Sequence, residues 1–266
     1  MSAPFGRRDL ELAATRRVGA YWLLSAVDGS GVVPVPGQFY MLSATRRWGG
    51  GDDERPFVAR ACSVLRVEGA ELQFLLEIVG PGTARLCELR AGEGLSVVGP
   101  LGRGFRAPAA DGRTLLVGGG IGIAPLAIFQ DAIRAESRDH SVLLGFRDAA
   151  HAEAAGLLPG AVVATDDGSV GYHGLVTELL QGELDHHPIA TVYACGPPAM
   201  LEAVRALCEE HATPAQLALE SGMACGFGAC FGCVVPTRGG GYARVCVDGP
   251  VLDADRLASA LAPEAA

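Results

Sequence analysis

Four cysteines near the C-terminal end have the spacing of metal ligands. Cys225, Cys230 and Cys233 form C-x4-C-x2-C, and Cys246 follows thirteen positions later. This is the ligand spacing of a plant-type [2Fe–2S] site, in which three thiolates from one loop and a fourth from elsewhere hold two irons. Gly226, Gly228 and Gly232 allow the loop to curl around such a group and to aim backbone N–H groups at its sulfurs. A cluster of this kind moves one electron at a time. The same residues leave zinc open. Cys230 and Cys233 are one C-x2-C hook, and Cys225 and Cys246 would complete a four-thiolate site. Zinc sites usually pair two such hooks, and this chain has one. A disulfide framework is set aside, because four crowded thiols in a long chain without a secretion signal suit a metal better.

A second constellation is Gly118-Gly119-Gly120-Ile121-Gly122-Ile123-Ala124-Pro125. It follows an apolar strand-like run and opens a helix-like one, the context that a nucleotide-phosphate loop requires. Glycine lets backbone approach a pyrophosphate closely, and Pro125 suits a first helical turn. The dinucleotide fingerprint itself is not matched, since Gly or Ala would be needed at position 125. A plain Gly-rich turn is the plainer reading. Cys195-Gly196-Pro197 stands at another strand-to-helix junction, so the two turns are expected to flank one cofactor at the carboxyl ends of parallel strands. Cys195 reads equally as a small buried side chain.

Nearer the N-terminus, Arg60 and Ser63 offer a guanidinium and a hydroxyl on one segment, and Gly82-Thr83 offers backbone donors and a hydroxyl in a turn. Arginine grips phosphate bidentately, and such turns cradle anions. Taken singly, each is an ordinary edge residue or turn. Thr165-Asp166-Asp167-Gly168-Ser169 reads as an Asx-type turn or as a cleft-lining segment. Six histidines show no metal-ligand spacing, and Cys62, Cys87 and Cys208 have no partner by spacing. Glu220 stands five residues before Cys225, where it would border both cluster and cofactor cleft.

The elements that must position these groups fall into three stretches. From about residue 8 to 106, short β segments alternate with Gly and Pro turns: Tyr21–Val27, Gln38–Leu42, Cys62–Val67, Leu72–Ile78 and Leu95–Val98. That pattern implies a barrel or sandwich. A polar, Gly-rich loop at 46–53 interrupts it. After Pro108, strands at Thr114–Val117, Ser141–Phe146, Ala161–Ala164 and Thr191–Ala194 alternate with helices at Pro125–Arg134, Val176–Leu180 and Ala199–His211. Alternation of this kind implies a doubly wound parallel sheet. From about Gln216 the chain is small, loop-rich and cysteine-bearing.

Composition narrows the function. The chain has 266 residues, 49% of them hydrophobic and 19% charged, which reads as well-folded. Its net charge is −9, and all 21 basic residues are arginine. The absence of lysine excludes Schiff-base chemistry and a P-loop. There is no basic stripe, so nucleic acid is not an expected partner. No apolar run is long enough to cross a bilayer, and no h-region follows the N-terminal arginines. A cytoplasmic setting, with reduced thiols, is expected.

These segments, in this order, resemble one family. Arg60-x-x-Ser63, then Gly82-Thr83, then Gly99-Pro100-Leu101-Gly102-x-Gly104-Phe105, look like the flavin half of the ferredoxin–NADP reductase superfamily, and Gly118–Pro125 with Cys195–Met200 look like its nicotinamide half. The run Glu220–Cys233 with Val245–Leu252 is similar to the electron transfer subunits of class 1B dihydroorotate dehydrogenase. The resemblance implies an FAD-binding antiparallel β-barrel at 1–108, an NAD-binding α/β domain at 109–215 and a [2Fe–2S] domain at 216–266. It implies that FAD is held by Arg60, Ala61, Cys62 and Ser63, by Leu75, Leu76 and Glu77, and by Gly82 and Thr83, with Ala61 where the family usually has Pro. It implies that NAD is met by Gly118, Gly119, Gly120, Gly122, Pro125, Cys195, Gly196 and Pro197, and that Cys225, Cys230, Cys233 and Cys246 hold the cluster.

The implied activity is electron transfer in pyrimidine (UMP) biosynthesis. A partner subunit containing FMN oxidises dihydroorotate, and this chain carries the electrons through [2Fe–2S] and FAD to NAD⁺, in a heterotetramer of two plus two. A flavin must stand between a one-electron cluster and a two-electron nicotinamide. No catalytic acid–base residue is expected. The loop around Phe227 and Phe231 is the expected docking surface beside the cluster; packing of both rings under the loop is the equal alternative. Two other readings stand beside this one: an NAD(P)H–ferredoxin or sulfur reductase subunit of the same superfamily, and a non-catalytic zinc-binding adaptor.

Overall fold

The structure, a computed structural model, describes residues 6–49, 56–108 and 111–261. Apart from its first four residues, the Gly-rich loop expected at 46–53 falls largely outside that description.

The first strands alternate inward and outward residues and close on themselves. They are β1 (Arg7–Val18), β2 (Tyr21–Val27), β3 (Phe39–Ala44), β4 (Arg60–Glu68), β5 (Glu71–Leu76), a short helix α1 (Pro81–Cys87), and β6 (Gly94–Leu101). Hydrogen bonding in the order β1-β2-β5-β4-β3-β6 closes an antiparallel barrel. Closure leaves no edge among these strands, the usual solution for a small antiparallel sheet. Its interior is filled by Leu12, Leu24, Tyr40, Leu42, Phe74, Leu86 and neighbours. β1 was not picked out from the sequence as a strand of its own, because its arginines mask the inward alternation of Leu10 and Leu12. The Gly80–Thr83 segment is the start of a helix rather than a turn alone, with Pro81 in the first turn where its missing N–H costs nothing.

The second layer follows: β7 (Thr114–Gly119), α2 (Ile123–Ala135), β8 (His140–Phe146), α3 (Ala149–Ala152), β9 (Ala161–Thr165), β10 (Tyr172–His173), α4 (Val176–His186), β11 (Thr191–Cys195), α5 (Pro198–Glu210) and β12 (Ala215–Ala218). Three short tail strands complete the chain: β13 (Val234–Pro236), β14 (Tyr242–Arg244) and β15 (Val251–Asp253). The large sheet runs β10-β9-β8-β7-β11-β12-β15. Every neighbouring pair is parallel except β12 with β15. The expected boundary at residue 216 therefore falls inside β12. The nucleotide sheet runs on to Ala218, and the tail returns β15 to its edge. β12 and β15 are too short to show a period in the sequence.

Barrel and sheet share apolar seams. Phe105, Phe129 and Tyr193 meet with ring centroids 4.5–5.6 Å apart, and Tyr193 Oη donates to the Arg106 carbonyl at 2.7 Å. Aromatic contacts of this kind add about 0.5–1.5 kcal/mol each beyond area burial. α2 buries Ile123, Leu126, Phe129 and Ile133 in the same seam.

One buried ion pair pins the open end of the barrel. Asp28 accepts from Arg8, whose Nη1 also donates to the Gly99 carbonyl at 2.7 Å. Desolvation alone would raise the Asp28 carboxyl. Hydrogen bonds from Arg8 and Ser30 and the Arg8 charge together outweigh it, and the carboxyl sits below its ordinary value. A depressed acid contributes stability above the unfolded value of about 4 and loses it as pH falls through the folded value. The unfolding midpoint should therefore drop on acidification below about pH 4. Asp28→Asn should remove about 3 kcal/mol near neutrality and flatten part of that acid limb. Denaturant melts at pH 7 and pH 3.5 check both, and an Asp28→Asn variant as stable as the parent contradicts the pair's role.

Candidate functional site

Two clefts open at the carboxyl ends of the parallel strands and share one wall. The first, of about 320 Å³, lies between barrel and sheet. Ala61, Cys62, Ser63, Leu75, Leu76, Glu77 and Thr83 line it from the barrel, and Gly122, Pro125 and Cys195 line it from the sheet. Met223 and Pro250 of the tail complete it. Arg60 and Gly82, both expected at the site, do not line it; each precedes a lining residue, Ala61 and Thr83, in sequence. A Cβ on Gly82 would lie 2.3–2.4 Å from the Arg60 guanidinium, so the bare glycine gives that guanidinium room. Thr83 Oγ1 accepts from the Val79 N–H at 2.9 Å, which shapes the turn between them. The lining offers the hydroxyls of Ser63 and Thr83 over an apolar floor, which fits a flat ring system, while the nearby Arg60 guanidinium donates to the Val58 carbonyl.

The second cleft, of about 440 Å³, is lined by Gly119, Gly120, Pro197, Met200, Arg147 and Asp166 among others. A side chain on Gly119 would meet Met200 Sδ at 2.5 Å. Gly120 takes φ +54°, the left-handed region that favours glycine. Room for a phosphate against bare backbone is what a dinucleotide needs.

The two expected loops thus divide their residues between the clefts rather than flanking one. Gly122, Pro125 and Cys195 face the first, and Gly119, Gly120 and Pro197 face the second. Gly118 and Gly196 line neither. A Cβ on Gly118 would press on Leu144 and Leu126, and one on Gly196 on Met200 and the Gly119 nitrogen, so both are packing glycines. The Asx-type segment keeps both of its readings. Asp167 accepts from the Ser169 N–H at 2.9 Å, while Asp166 faces the second cleft.

Glu77, Ile121 and Glu220 line both clefts and form their common wall. Loss of solvent holds the Glu220 carboxyl above its ordinary range. Burial raises the Cys195 thiol far above its usual value, as inert buried thiols are, and the Glu220 charge adds to it. Around Glu77 lie Tyr21, Arg147, Asp148 and His151, a polar group that pattern reading missed. Asp148 and His151 are three apart at a helix start, which was the legible signal. Glu77 lies 70 positions from Arg147, which was not legible.

The four cysteines stand beyond Met223 as two pairs. Cys225 and Cys230 interact through their side chains, and Cys233 and Cys246 do likewise, with the Cys246 N–H 3.4 Å from Cys233 Sγ. Desolvation opposes the Cys225 thiolate. N–H groups of Cys230, Phe227 and Ala229 and the Cys230 side chain overcome it and lower its pKa to about 6. Burial, then the Cys233 hydrogen bond and charge, push Cys246 up to about 12. No three or more His, Cys, Asp or Glu side chains among the described residues close around one point as a single ion requires. Two interacting thiol pairs, Cys225 with Cys230 and Cys233 with Cys246, suit a two-iron cluster, which takes four thiolates in all. Gly226 and Gly228 take φ of +79° and +89°, as a curled loop demands. At the third turn it is Phe231, not Gly232, that takes the left-handed conformation, at φ +57°.

Comparison with known proteins agrees with this geometry. Residues 220–258 match the iron–sulfur cluster binding domain of dihydroorotate dehydrogenase B. The chain is 35% identical to the dihydroorotate dehydrogenase B (NAD(+)) electron transfer subunit of Caldanaerobacter subterraneus subsp. tengcongensis, over 92% of this chain and 95% of that protein. It is 35% identical to the same subunit of Geobacillus kaustophilus, over 95% of this chain and 98% of that protein. The chain belongs to this family of electron transfer subunits. The fold is likewise that of flavin reductases. An NADH-dependent reduced ferredoxin–NADP oxidoreductase structure superposes with a TM-score of 0.80 at 23% identity, covering 93% of this chain and 88% of that one. A ferredoxin NADP+ reductase from Neisseria gonorrhoeae, with bound FAD and NADP, gives 0.65 at 16% identity, covering 77% and 91%.

Gly122 is a tight point of the wall that the two turns build. A Cβ there would lie 2.5–2.6 Å from backbone atoms of Cys195 and Gly196, which cannot yield as a side chain can. Gly122→Ala should cost about 1–3 kcal/mol, as overpacking does. It should also loosen the wall of the first cleft. Chemical denaturation measures the first effect, and an unchanged midpoint would mean that the two turns are not in contact.

Proposed function

We propose that this chain is the electron transfer component of an NAD-dependent dihydroorotate dehydrogenase, acting in pyrimidine (UMP) biosynthesis. A partner subunit containing FMN oxidises dihydroorotate to orotate, and electrons pass through [2Fe–2S] and FAD to NAD⁺. The carrying observation is the linear order of three sites. The paired cysteines begin two residues beyond Met223, which lines the first cleft, and that cleft shares its wall with the second. When bound, a flavin in the first cleft takes electrons singly and releases them as a pair.

The chain's own residues do the positioning. Arg60, Ser63 and Thr83 hold the phosphates and ribityl arm of FAD, with Ala61 and Cys62 along the same strand. Leu75, Leu76 and Glu77 border its ring, and Gly82 leaves space for the guanidinium. Gly119 and Gly120 admit the NAD pyrophosphate, and Pro197 and Met200 close its other side. Gly122 keeps the two clefts in contact. Cys225, Cys230, Cys233 and Cys246 hold the irons. The domains are proposed at 1–108, 109–218 with 251–253, and the intervening tail.

Phe227 and Phe231 are 48% and 62% exposed beside the cysteines, with Arg244 stacked 5.1 Å from the Phe231 ring. They mark the face that meets the catalytic subunit, in a heterotetramer of two plus two, since electrons must enter near the cluster. Exposed aromatics with an arginine are typical of interface centres. No helix among the described residues is long and apolar enough to cross a membrane, and a cytoplasmic location is part of the proposal.

Anaerobic purification should yield a brown protein with FAD, iron and acid-labile sulfide in the ratio of one flavin to one two-iron cluster. Reconstituted with an FMN-containing partner, it should reduce NAD⁺ at the expense of dihydroorotate. A colourless protein that binds only zinc, or a complex silent towards dihydroorotate, refutes the reading. Phe231→Asp should weaken co-purification with the partner while leaving the flavin spectrum of the isolated chain unchanged. Undiminished co-purification would remove this face as the docking site.

A further inference from the structure

The reaction proposed for this chain is NAD⁺ + 2 e⁻ + H⁺ → NADH. The electrons arrive through the cluster without protons, and the hydride that reaches nicotinamide carries one hydrogen. Each turnover must therefore draw one proton from solvent to the flavin side of the shared wall. The expectation that no acid–base residue is needed considered the hydride alone.

We propose that this proton travels through Asp148, His151 and Glu77. The inference rests on the electron-transfer reading and adds a route to it. Glu77 lies on β5's C-terminal side, on the wall common to both clefts. His151, on α3, is 7% exposed and stacks edge-on against Tyr21 with centroids 5.3 Å apart. Its Nδ1 lies 2.6 Å from Asp148 Oδ1, and its Nε2 lies 3.5 Å from Glu77 Oε1. Asp148 also accepts from the His151 backbone N–H at 3.0 Å, so the ring and its carboxylate are held in one register. The Asp148 side chain is 38% exposed, which gives the chain of groups its solvent end. A buried imidazole with a carboxylate on each side is the arrangement of a proton shuttle.

The hairpin tip of the barrel fixes the distance. The Ala20 N–H donates to the Ala150 carbonyl at 2.9 Å, and a Cβ on Gly19 would lie 2.0 Å from the same oxygen. Barrel and α3 therefore touch backbone to backbone next to the relay. Arg147 is its gate. Its Nε donates to His151 Nε2 at 2.9 Å and its Nη2 to Glu77 at 2.7 Å, so it occupies the inner step at rest. Arg147 is largely exposed and also lines the dinucleotide cleft, where a pyrophosphate would offer it a competing anion. Its departure leaves His151 facing Glu77 directly. Other charged or titratable groups nearby are Tyr21, whose phenol is held protonated by burial and by Glu77, Asp167, which adjoins Asp148 and whose N–H donates to the Arg147 carbonyl, and Asp166 and Glu220 across the cleft.

The test separates hydride from proton. In the chain loaded with FAD and cluster, NADH bleaches the flavin by hydride transfer, which needs no relay. Reoxidation by a one-electron acceptor such as ferricyanide releases the proton and does need it. Glu77→Gln and His151→Gln should each lower the ratio of reoxidation rate to bleaching rate about tenfold or more. Imidazole in the buffer should restore the ratio in His151→Ala. By NMR, the ¹⁵N signals of the His151 ring should shift when the flavin is reduced, and fail to do so in Glu77→Gln. A merely structural role would change both rates together and ignore imidazole. An unchanged ratio in both Gln variants, or a fall only in Glu220→Gln, overturns the relay alone. Failure of NADH to bleach the parent chain overturns the relay and the electron-transfer reading together.

Discussion

The cluster-bearing tail is held by surfaces it did not build, and the geometry of the three sites depends on that grip. β15 pairs with β12 at the edge of the nucleotide sheet, and the Leu219 N–H donates to the Pro250 carbonyl at 3.0 Å. On the other side, the Arg103 N–H donates to the Gly249 carbonyl, and Gly226 rests against Met41 and Leu101 of the barrel. Cys233, Val245 and Cys246 belong to one apolar cluster with Phe39, Met41 and Leu217. A Gly-rich loop of this size pays a high backbone entropy to become ordered and has too little core of its own to offset it. Order is supplied from barrel and sheet at once. The thiols are placed relative to the first cleft by the same contacts that fold them.

The second constraint is closeness. Hydride transfer requires reacting atoms about 3–3.5 Å apart, so two cofactors must meet with no side chain between them. Bare backbone at Gly119, Gly122 and Gly196 serves that end. Each would drive a Cβ into a neighbouring turn or into Met200. Gly119 and Gly122 read from sequence as part of a phosphate loop, but of the three only Gly119 opens onto the second cleft. The others bring strand ends together so that the clefts can share a wall.

Signals carried by neighbours in sequence were legible. β2 runs from Tyr21 to Val27, the span expected from the sequence, and the cysteine spacing pointed to the thiols that the structure brings together in pairs. Signals carried by distant pairs were not. α1 hid behind Gly80-Pro81-Gly82, which has turn chemistry and helix-start chemistry at once. β12 and β15 have four and three residues and are strands through pairing with distant chain, β12 with β11 and β15 with β12. Glu77 looked like one more residue beside a flavin, and His151 like one more unpaired histidine. Their relation appears only when the barrel's hairpin docks on α3, a contact between residues 19–20 and 150 that no local pattern encodes.

The seam between barrel and nucleotide layer is unequal along its length, and the inequality matches the two kinds of ligand. On the inner side it is apolar and interlocked, with Phe105, Phe129 and Tyr193 packed among Leu65, Leu75 and Leu126. At the second cleft it is polar and more exposed, with Glu77 paired to Arg147, and a second such pair, Arg66 with Asp131 at 2.6 Å, joins β4 to α2. Exposed pairs of this sort contribute about 0.2–1 kcal/mol and exchange partners readily. The packed side is costly to open, and the ionic side is cheap to open. A cofactor that stays through many turnovers belongs against the first, and a nucleotide that must enter and leave each time belongs at the second. The proton route lies on the ionic side too, where a passing anion can rearrange its arginine without disturbing the core.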